Sequence, residues 1–491
     1  MQVTGKRILV VGMARSGIAV AKLLCKAGAT PILNDSKEEA SFGQALDELR
    51  SLPCQWRLGR PAMELLDEAE GVVISPGIPD TAPFVVKARE MGLEVIGELE
   101  MAFELSRGIT VAVTGTNGKT SITFMIRHAL NKKGVSVGLI GTSGIFINGE
   151  RQNVNLKTST TPDPIELQCI LRAMRDRGVK SVVMEVTAQA LYLRKVEGIV
   201  FDVGVFTNLT QDHLEFFGDM ETYAAAKLKL FEPGRCKNAV VNIDDQLGRR
   251  AAVGAVSYAL ERSADIAAEN IIYSGQGSVF DLVYKGQRYP ASLKISGRFS
   301  VYNALAAFGA LTAVGMDAQY ALNALSEFPG VPGRFETPDM QGRPYSVVID
   351  YAHTPDGLEN ILKAVRAYHK GRIITVFGCG GNRDSAKRPI MGEIAARYSD
   401  FCVITSDNPR YEEPMSIMRQ IEKGLPEGFS RYKMLENRRS AILFAMENAR
   451  EGDIIVIAGK GDEDYQEIGG VKHHFSDRET VASLLNENAH L

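Results

Sequence analysis

No charge of one sign dominates this chain. Across 491 residues, 56 basic side chains face 59 acidic ones, leaving a net charge of −3. General attraction to nucleic acid or to a membrane surface is therefore not expected, and any anion site must be local. Paired cysteines are missing too: Cys25, Cys54, Cys169, Cys236, Cys379 and Cys402 are scattered with no C-x-x-C spacing. That argues against a zinc site or a disulfide framework, and for buried thiols in a reducing compartment. No apolar run is long enough to span a bilayer. The run Ile8-Leu9-Val10-Val11 after Lys6-Arg7 could imitate a secretory signal, but Gly12, Arg15 and Gly17 interrupt it. The expectation is a cytoplasmic protein without membrane insertion. Internal repeats and low-complexity tracts are also absent. What remains is 45% hydrophobic and 23% charged, a globular composition. At about 150 residues per domain, the length suggests about three domains.

The most informative stretch is T-G-T-N-G-K-T over 114–120, which follows the apolar Ile109-Thr110-Val111-Ala112-Val113 and precedes a helical pattern. It reads as a phosphate-binding loop. Gly115 and Gly118 let the backbone approach a polyphosphate, Lys119 reaches its β/γ-phosphates, and the Thr120 hydroxyl suits Mg²⁺ at a helix N-terminus. Gly115, Thr116, Asn117, Gly118, Lys119, Thr120 and Ser121 are thus candidate ATP contacts. Val113 stands where the generic motif has its first glycine.

The first segment alternates strands over 7–11, 30–34 and 71–75 with a helix over 17–26, the pattern of a parallel α/β domain. Its first turn, G-M-A-R-S-G over 12–17 with Asp35 ending the second strand, loosely matches the dinucleotide fingerprint, but Ala14 replaces the middle glycine. A nucleotide-like diphosphate other than NAD suits it at least as well. A dehydrogenase built on this turn would leave the phosphate loop unexplained. The second α/β unit starts near Ser106 and continues through strands over 181–186 and 202–207. A β-rich part over 236–315 then runs into a helix over 302–311. The third begins after Pro329-Gly330-Val331-Pro332-Gly333, a hinge-like stretch, with parallel strands expected over 346–350, 372–377, 401–405 and 453–458.

Glu185 ends one strand of the second unit, and Asp212-His213 follow the next through Thr207-Asn208-Leu209-Thr210, so all face the sheet edge of the phosphate loop. Thr120 and Glu185 suit one Mg²⁺ bridging ATP phosphates. His213 reads equally as a ligand or as a hydrogen-bonded structural histidine. Lys227 closes the helical run Y-A-A-A-K over 223–227, where a lysine is ordinarily exposed.

These motifs recur with others in a specific order: E-V-T over 185–187, T-N-L-T-Q-D-H-L over 207–214, G-R-F-S-V-Y-N-A-L-A-A over 297–307, P-G-R-F-E over 332–336, D-Y-A-H-T-P-D over 350–356, G-C-G-G-N-R-D over 378–384 and D-N-P-R-Y-E-E-P over 407–414. Together they resemble the Mur ligases of peptidoglycan precursor synthesis, over essentially the whole chain. The resemblance implies an α/β, three-domain architecture. A Rossmann-like UDP-substrate domain would span 1–106, a P-loop ATPase-like central domain 107–331, and a mobile Rossmann-like amino-acid domain 332–491. It also implies an ATP-dependent amide-forming ligase of cell-wall synthesis, using two Mg²⁺ ions, acting on a UDP-linked muramoyl peptide and an amino acid, and working as a monomer. By position, Lys119 binds phosphate, Thr120 and Glu185 hold the first Mg²⁺, and His213 helps hold the second. Lys227 matches the lysine that the family carbamylates, whose CO₂ adduct is a carboxylate ligand. Asn303 and Asp350 match adenine and ribose contacts, with Arg334 beside them. Ser36, Thr160, Thr161, Thr187 and Arg194 fall on the UDP-substrate side, while Arg383 and Lys387 face the reaction.

Within the family, Thr160-Thr161-Pro162-Asp163 and D-N-P-R over 407–410 resemble the branch that adds a diamino acid to UDP-N-acetylmuramoyl-L-alanyl-D-glutamate. The implied amino-acid contacts are Asp407, Asn408, Arg410, Gly459 and Glu463. Arg410 could clamp the distal carboxylate of meso-diaminopimelate in bidentate fashion, which lysine lacks. Its plain alternative is a surface arginine paired with Glu412 or Glu413. Three departures stand out. The N-terminal segment, with Gly12 to Gly17, Asp35-Ser36 and Ser75-Pro76-Gly77-Ile78-Pro79, is similar to the D-glutamate-adding ligase. Gln189 and Asp462 each replace a histidine usual in the diamino-acid branch. The competing expectations are therefore a D-glutamate-adding ligase and a non-catalytic nucleotide-binding paralogue.

Overall fold

The structure is a computed structural model that describes residues 3–75, 78–79, 81–97, 108–152 and 160–487. Pro76, Gly77 and the boundary expected at 106/107 lie outside the described residues. Two compact units result, Met1–Gly108 with Val196–Val200, and Ile109–Lys195 with Phe201–Leu491.

The first unit is built on a parallel five-stranded sheet of β1 (Arg7–Val11), β2 (Thr30–Asn34), β3 (Gln55–Trp56), β4 (Gly71–Ile74) and β5 (Val95–Gly97), in the order β3-β2-β1-β4-β5. Ile8, Leu9, Val10, Ile32, Leu33, Val72 and Val73 are fully buried, because helices cover both faces and each strand reads as one apolar run. At the carboxyl ends of β1 and β2 the Met13 backbone N–H donates to Asp35 Oδ2 at 2.8 Å. Gly12 has φ +100°, and a Cβ there would overlap the Ser75 side chain, so the first turn requires glycine. Below this sheet, Cys25 and Cys54, far apart in sequence, bring their thiols to 3.5 Å and remain unbonded.

The second unit holds an eleven-stranded sheet: β6 (Ile109–Thr114), β7 (Val137–Gly141), β8 (Gly144–Ile147), β9 (Glu150–Gln152), β10 (Ser181–Glu185), β11 (Phe201–Phe206), β12 (Cys236–Asn242), β13 (Val256–Ala259), β14 (Ile266–Ser274), β15 (Gly277–Tyr284) and β16 (Gln287–Leu293). Their order is β16-β15-β14-β13-β12-β11-β6-β10-β7-β8-β9. The strand that carries the phosphate loop therefore lies at the centre, with β10 and β11 as parallel neighbours: Glu185 and Val205 both sit opposite Val113. Helix Arg298–Ala313 packs across this sheet and against helix Lys119–Lys132. It is buried on nearly every residue from Ser300 to Leu311, with alanine at 304, 306, 307 and 310. Gly309 meets the sheet so closely that a Cβ would come 2.7 Å from Val240 Cγ1.

The same unit holds a second parallel sheet, β17 (Ser346–Asp350), β18 (Ile373–Phe377), β19 (Phe401–Thr405), β20 (Tyr432–Leu435) and β21 (Ile454–Ala458), ordered β17-β21-β18-β19-β20. The hairpin β22 (Tyr465–Ile468) and β23 (Val471–His474) follows it. Thr354 caps helix Pro355–Tyr368 by accepting from the Gly357 N–H at 3.1 Å, with proline at the first helical position, where its missing donor costs nothing. The turn-rich 329–333 stretch connects the two sheets. No helix among the described residues is long and apolar enough to cross a membrane.

Candidate active site

Parallel strands β10, β6 and β11 end on one edge, and their following loops build the site. Gly115 (φ +149°) and Gly118 (φ +86°) shape the loop after β6: a Cβ on the first would overlap Thr207 Oγ1, and on the second Asn303 Oδ1. Thr116 N donates to Asn208 O at 2.9 Å and Asn117 N to Asn208 Oδ1 at 2.9 Å, which fastens the phosphate loop to the loop carrying Asp212 and His213. Half-buried Lys119 folds over this loop, donating to Gly115 O at 3.0 Å and Thr116 O at 2.9 Å. Burial, with Arg334 adding to it, lowers its pKa against the opposing pull of Glu185 and Asp212. Ser121, half-buried, follows in the first helical turn.

Glu185 is 1% exposed and tightly surrounded. Its carboxylate accepts from Thr120 Oγ1 at 2.9 Å, Thr142 N at 3.0 Å and Thr142 Oγ1 at 3.2 Å; Thr160 Oγ1 lies 3.0 Å from Thr142 Oγ1. Thr161 Oγ1 donates to Glu185 O at 3.0 Å and accepts from Thr187 N at 3.1 Å. Thr187 in turn caps the short helix Ala188–Tyr192. Thr160, Thr161 and Thr187 thus stand beside Glu185, with Gln189 half-buried one turn on, whereas Arg194 is exposed. A hydroxyl and a carboxylate at a helix N-terminus fit a hard cation completed by phosphate and water oxygens. Among the described residues no three His, Cys, Asp or Glu side chains form a ready metal cage.

His213, with φ +55°, places its Nε2 3.4 Å from Asp212 Oδ2. Lys227 is the departure from ordinary helix behaviour: on helix Met220–Leu228 it is 1% exposed, its Nζ over the Tyr223 ring at 4.5 Å. Burial, reinforced by Lys119, holds its pKa well below the usual lysine range. Tyr223 also reaches Thr116, Oη to Oγ1 at 3.3 Å, so helix and phosphate loop are joined.

Arg334 enters from the segment before β17. Its NH2 donates to Thr120 Oγ1 at 3.4 Å, its guanidinium lies 4.1 Å from the Tyr351 ring centre, and its buried Nε has no hydrogen-bond partner among the described residues. A buried donor beside a glycine-lined phosphate loop suits an anion. Asp350 accepts from Phe335 N at 2.7 Å and Ala352 N at 2.8 Å, and burial raises its pKa. Asn303 stands against Gly118: a Cβ there would overlap its Oδ1. Asp356, which sequence reading passed over, accepts from Asn117 Nδ2 at 2.5 Å and Thr210 Oγ1 at 3.4 Å.

A second constellation gathers at the carboxyl ends of β19 and β21. Fully buried Lys460 donates to Asn408 Oδ1 at 3.2 Å and Glu463 Oε2 at 3.1 Å, and lies 3.5 Å from Asp407 Oδ1. Gly459 (φ +120°) passes Asp407 closely: its Cβ would lie 3.4 Å from Oδ2. Asp462 is half-buried in the same loop. Arg410 pairs with Glu467, Nε to Oε2 at 3.2 Å, and not with Glu412 or Glu413. Glu412 is taken by Arg388, buried to 1% exposure, through bonds of 2.8 and 2.9 Å. Lys387 donates to His353 O at 2.9 Å, and Arg383 is exposed on the preceding loop. Ser36 is exposed on the first unit, its Oγ 3.5 Å from Asp35 Oδ1. Sequence reading missed Arg388 and Arg438 because a buried arginine is recognisable only through its distant acidic partner.

The chain matches three family models in order: the Mur ligase MurD-like N-terminal domain over 6–97, the Mur ligase middle domain over 113–311, and the Mur ligase, glutamate ligase domain over 333–461. It is 43% identical over 382 residues to UDP-N-acetylmuramoyl-L-alanyl-D-glutamate--2,6-diaminopimelate ligase of Clostridium botulinum, covering 77% of this chain and 78% of that protein. The protein of the same name from Bacillus velezensis is 40% identical over 419 residues, 83% of this chain and 84% of its own length. A solved structure of a ligase with that name superposes with a TM-score of 0.57 at 28% identity, covering 100% of this chain and 93% of the other. With relatives this similar over more than three quarters of its length, and three domain models of one family matched in order, the chain belongs to the Mur ligase family.

Proposed function

We propose that this protein forms an amide bond between the D-glutamyl end of UDP-N-acetylmuramoyl-L-alanyl-D-glutamate and an amino group of diaminopimelate, at the expense of ATP. Members of the family are ATP-dependent, ADP-forming ligases that use ATP and Mg²⁺. The observation that carries the reading is the single sheet edge where the loop over 114–120, Glu185, His213 and Lys227 follow three adjacent strands. Relatives named for diaminopimelate support the choice of amino acid.

A carboxylate is a poor electrophile because its leaving group would be oxide, so ATP must first convert it to an acyl phosphate, which the incoming amine then attacks with loss of phosphate. Two anions must meet for the first step. Lys119 and Arg334 flank the glycine loop and lower that repulsion. Thr120 and Glu185 would hold one Mg²⁺, and His213 with carbamylated Lys227 a second; the ions would add positive charge where the phosphoryl group is transferred. Lys227 suits carbamylation, since among the described residues its ammonium has a ring contact and no ion pair, and CO₂ on the neutral amine replaces a repelled cation with a carboxylate. Asn303, Asp350 and Arg334 would hold the nucleoside end. Thr160, Thr161, Thr187, Arg194 and, on the domain over 1–106, Ser36 would serve the UDP-linked acid. Asp407, Asn408, Arg410, Gly459 and Glu463, on the domain over 332–491, would receive the amino acid, with Arg383 and Lys387 facing the reaction. Closing of that domain over the central one, 107–331, would keep water from the acyl phosphate.

The MurD-like model over 6–97 favours a second reading, addition of D-glutamate to UDP-N-acetylmuramoyl-L-alanine. Incubation with ATP and Mg²⁺ and each acceptor with its amino acid, followed by mass spectrometry of the products, separates the two. A diaminopimelate adduct is expected, and product from the D-glutamate pair alone would refute the first reading.

A further inference from the structure

We propose that Glu467 determines amino-acid specificity by fixing the Arg410 guanidinium in the orientation that receives a distal carboxylate; the inference rests on the diaminopimelate reading above. The Arg410 guanidinium is held at two of its three nitrogens. Nε donates to Glu467 Oε2 at 3.2 Å, and NH1 to Gly381 O at 2.8 Å. Of the five guanidinium N–H groups, these two are committed. The second N–H on NH1 and both on NH2 remain for a ligand, and parallel N–H groups from the two terminal nitrogens match a carboxylate. The ion pair is 20% and 22% exposed, sheltered enough to hold one geometry yet open to solvent on one side.

The backbone repeats the constraint. Arg410 N donates to Glu467 O at 3.0 Å, Gly469 N to Arg410 O at 2.6 Å, and Arg410 forms a parallel bridge with Ile468. Arg410 itself has φ +53°, a left-handed conformation that arginine rarely adopts. Main chain and side chain are thus both fastened to β22. The opposite wall is glycine: a Cβ at Gly380 would come 2.9 Å from Arg410 NH1, so that loop supplies only backbone.

The charges around this cation suit a zwitterionic end group. Asn408, two residues before Arg410, ties Glu463 to β22: its Nδ2 donates to Glu463 Oε2 at 2.9 Å and its Oδ1 accepts from Glu467 N at 3.0 Å, which keeps a second carboxylate in the same bonded network as the cation. The distal end of meso-diaminopimelate carries one carboxylate and one ammonium, matching Arg410 and Glu463 respectively. Lysine brings only an ammonium, which would face Arg410 with no carboxylate between them. Removing the Glu467 carboxylate leaves the main chain of Arg410 in place but its guanidinium tethered through NH1 alone, free to turn about its terminal bonds.

The test uses full-length Glu467→Ala and Glu467→Gln with ATP, Mg²⁺ and UDP-N-acetylmuramoyl-L-alanyl-D-glutamate, varying diaminopimelate and, separately, lysine. Alanine should raise KM for diaminopimelate about 10-fold, equivalent to about 1.4 kcal/mol. Glutamine, which keeps an acceptor oxygen for Nε, should raise it only about 3-fold. In both, kcat and KM for ATP should stay within about 2-fold of wild type, and preference for diaminopimelate over lysine should fall. Unchanged KM for diaminopimelate in both variants, or a parallel rise in KM for ATP, would overturn the proposal while wild-type turnover upholds the underlying reading. Wild-type enzyme inert toward diaminopimelate would overturn both.

Discussion

Asp477→Ala should destabilise the protein far more than a surface charge would. Arg438 and Asp477 are fully buried, and two bonds of 2.7 Å, from Nε and NH2 to the two carboxylate oxygens, join them. Apart from Asp477, the guanidinium donates to Ala458 O at 3.0 Å, and its NH1 has no hydrogen-bond partner among the described residues. Truncating the aspartate therefore strands a cation away from water. Breaking a buried pair in this way costs about 3–5 kcal/mol. For a domain of roughly 150–250 residues, each kcal/mol moves Tm by about 2–4 °C, so a fall of roughly 6–20 °C is expected. Calorimetry and urea unfolding at 25 °C would measure it. The double variant Arg438→Met, Asp477→Leu removes both charges and should recover most of the loss. A single variant within about 1 kcal/mol of wild type would refute the reasoning, because an isolated guanidinium at that depth cannot be so cheap.

Gly118→Ala should raise KM for ATP at least 10-fold, since the new Cβ meets Asn303 Oδ1 at φ +86°, and should lower stability by about 1–2 kcal/mol; nucleotide titration and melting check both parts. Lys227→Ala should abolish amide formation, and added formate or acetate should restore part of it, because a small carboxylate can occupy the place the proposed carbamate would take; product formation assayed with and without the added salt reads this out. His353 should make acid destabilising: burial, with Lys387 near, brings its pKa from 6.5 to about 4. The unfolded chain then binds more protons than the native one between those values, so the contribution is fully present above pH 6.5 and lost at about 1.4 kcal/mol per pH unit as pH falls toward 4. Comparing wild type with His353→Asn by urea unfolding at pH 7 and pH 4.5 isolates it; equal acid sensitivity would contradict the assignment.

The strands of both parallel sheets were legible because strands buried on two faces read as apolar runs. The runs over 7–11, 30–34, 346–350 and 401–405 became β1, β2, β17 and β19 with the expected ends, and 453–458 shortened by one residue to β21. Short edge strands such as Gln55–Trp56 and Tyr432–Leu435 carry no such run and went unread. In the candidate site, glycines and strand ends made legible that Gly115, Lys119, Glu185 and His213 stand at or beyond the ends of neighbouring strands. Lys227 shows the limit of local reading: an alanine-rich turn says nothing of whether its lysine points outward, and tertiary packing, with Tyr223 beside the Nζ, buries it. Arg410 shows the same limit, since its nearest acids in sequence are not its partners in space. The cysteine spacing likewise concealed that Cys25 and Cys54 become neighbours.

Helix Arg298–Ala313 has almost no face left over for solvent between Ser300 and Leu311. Its alanines and Gly309 set how closely it lies against the sheet and the phosphate-loop helix beside it, as shims set the gap in a machine. Any larger residue there would widen that gap and shift Asn303 away from Gly118. Selection for new amino-acid substrates should therefore leave this segment nearly silent and accumulate changes around Arg383, Tyr411 and the β22–β23 hairpin, where side chains have room to vary.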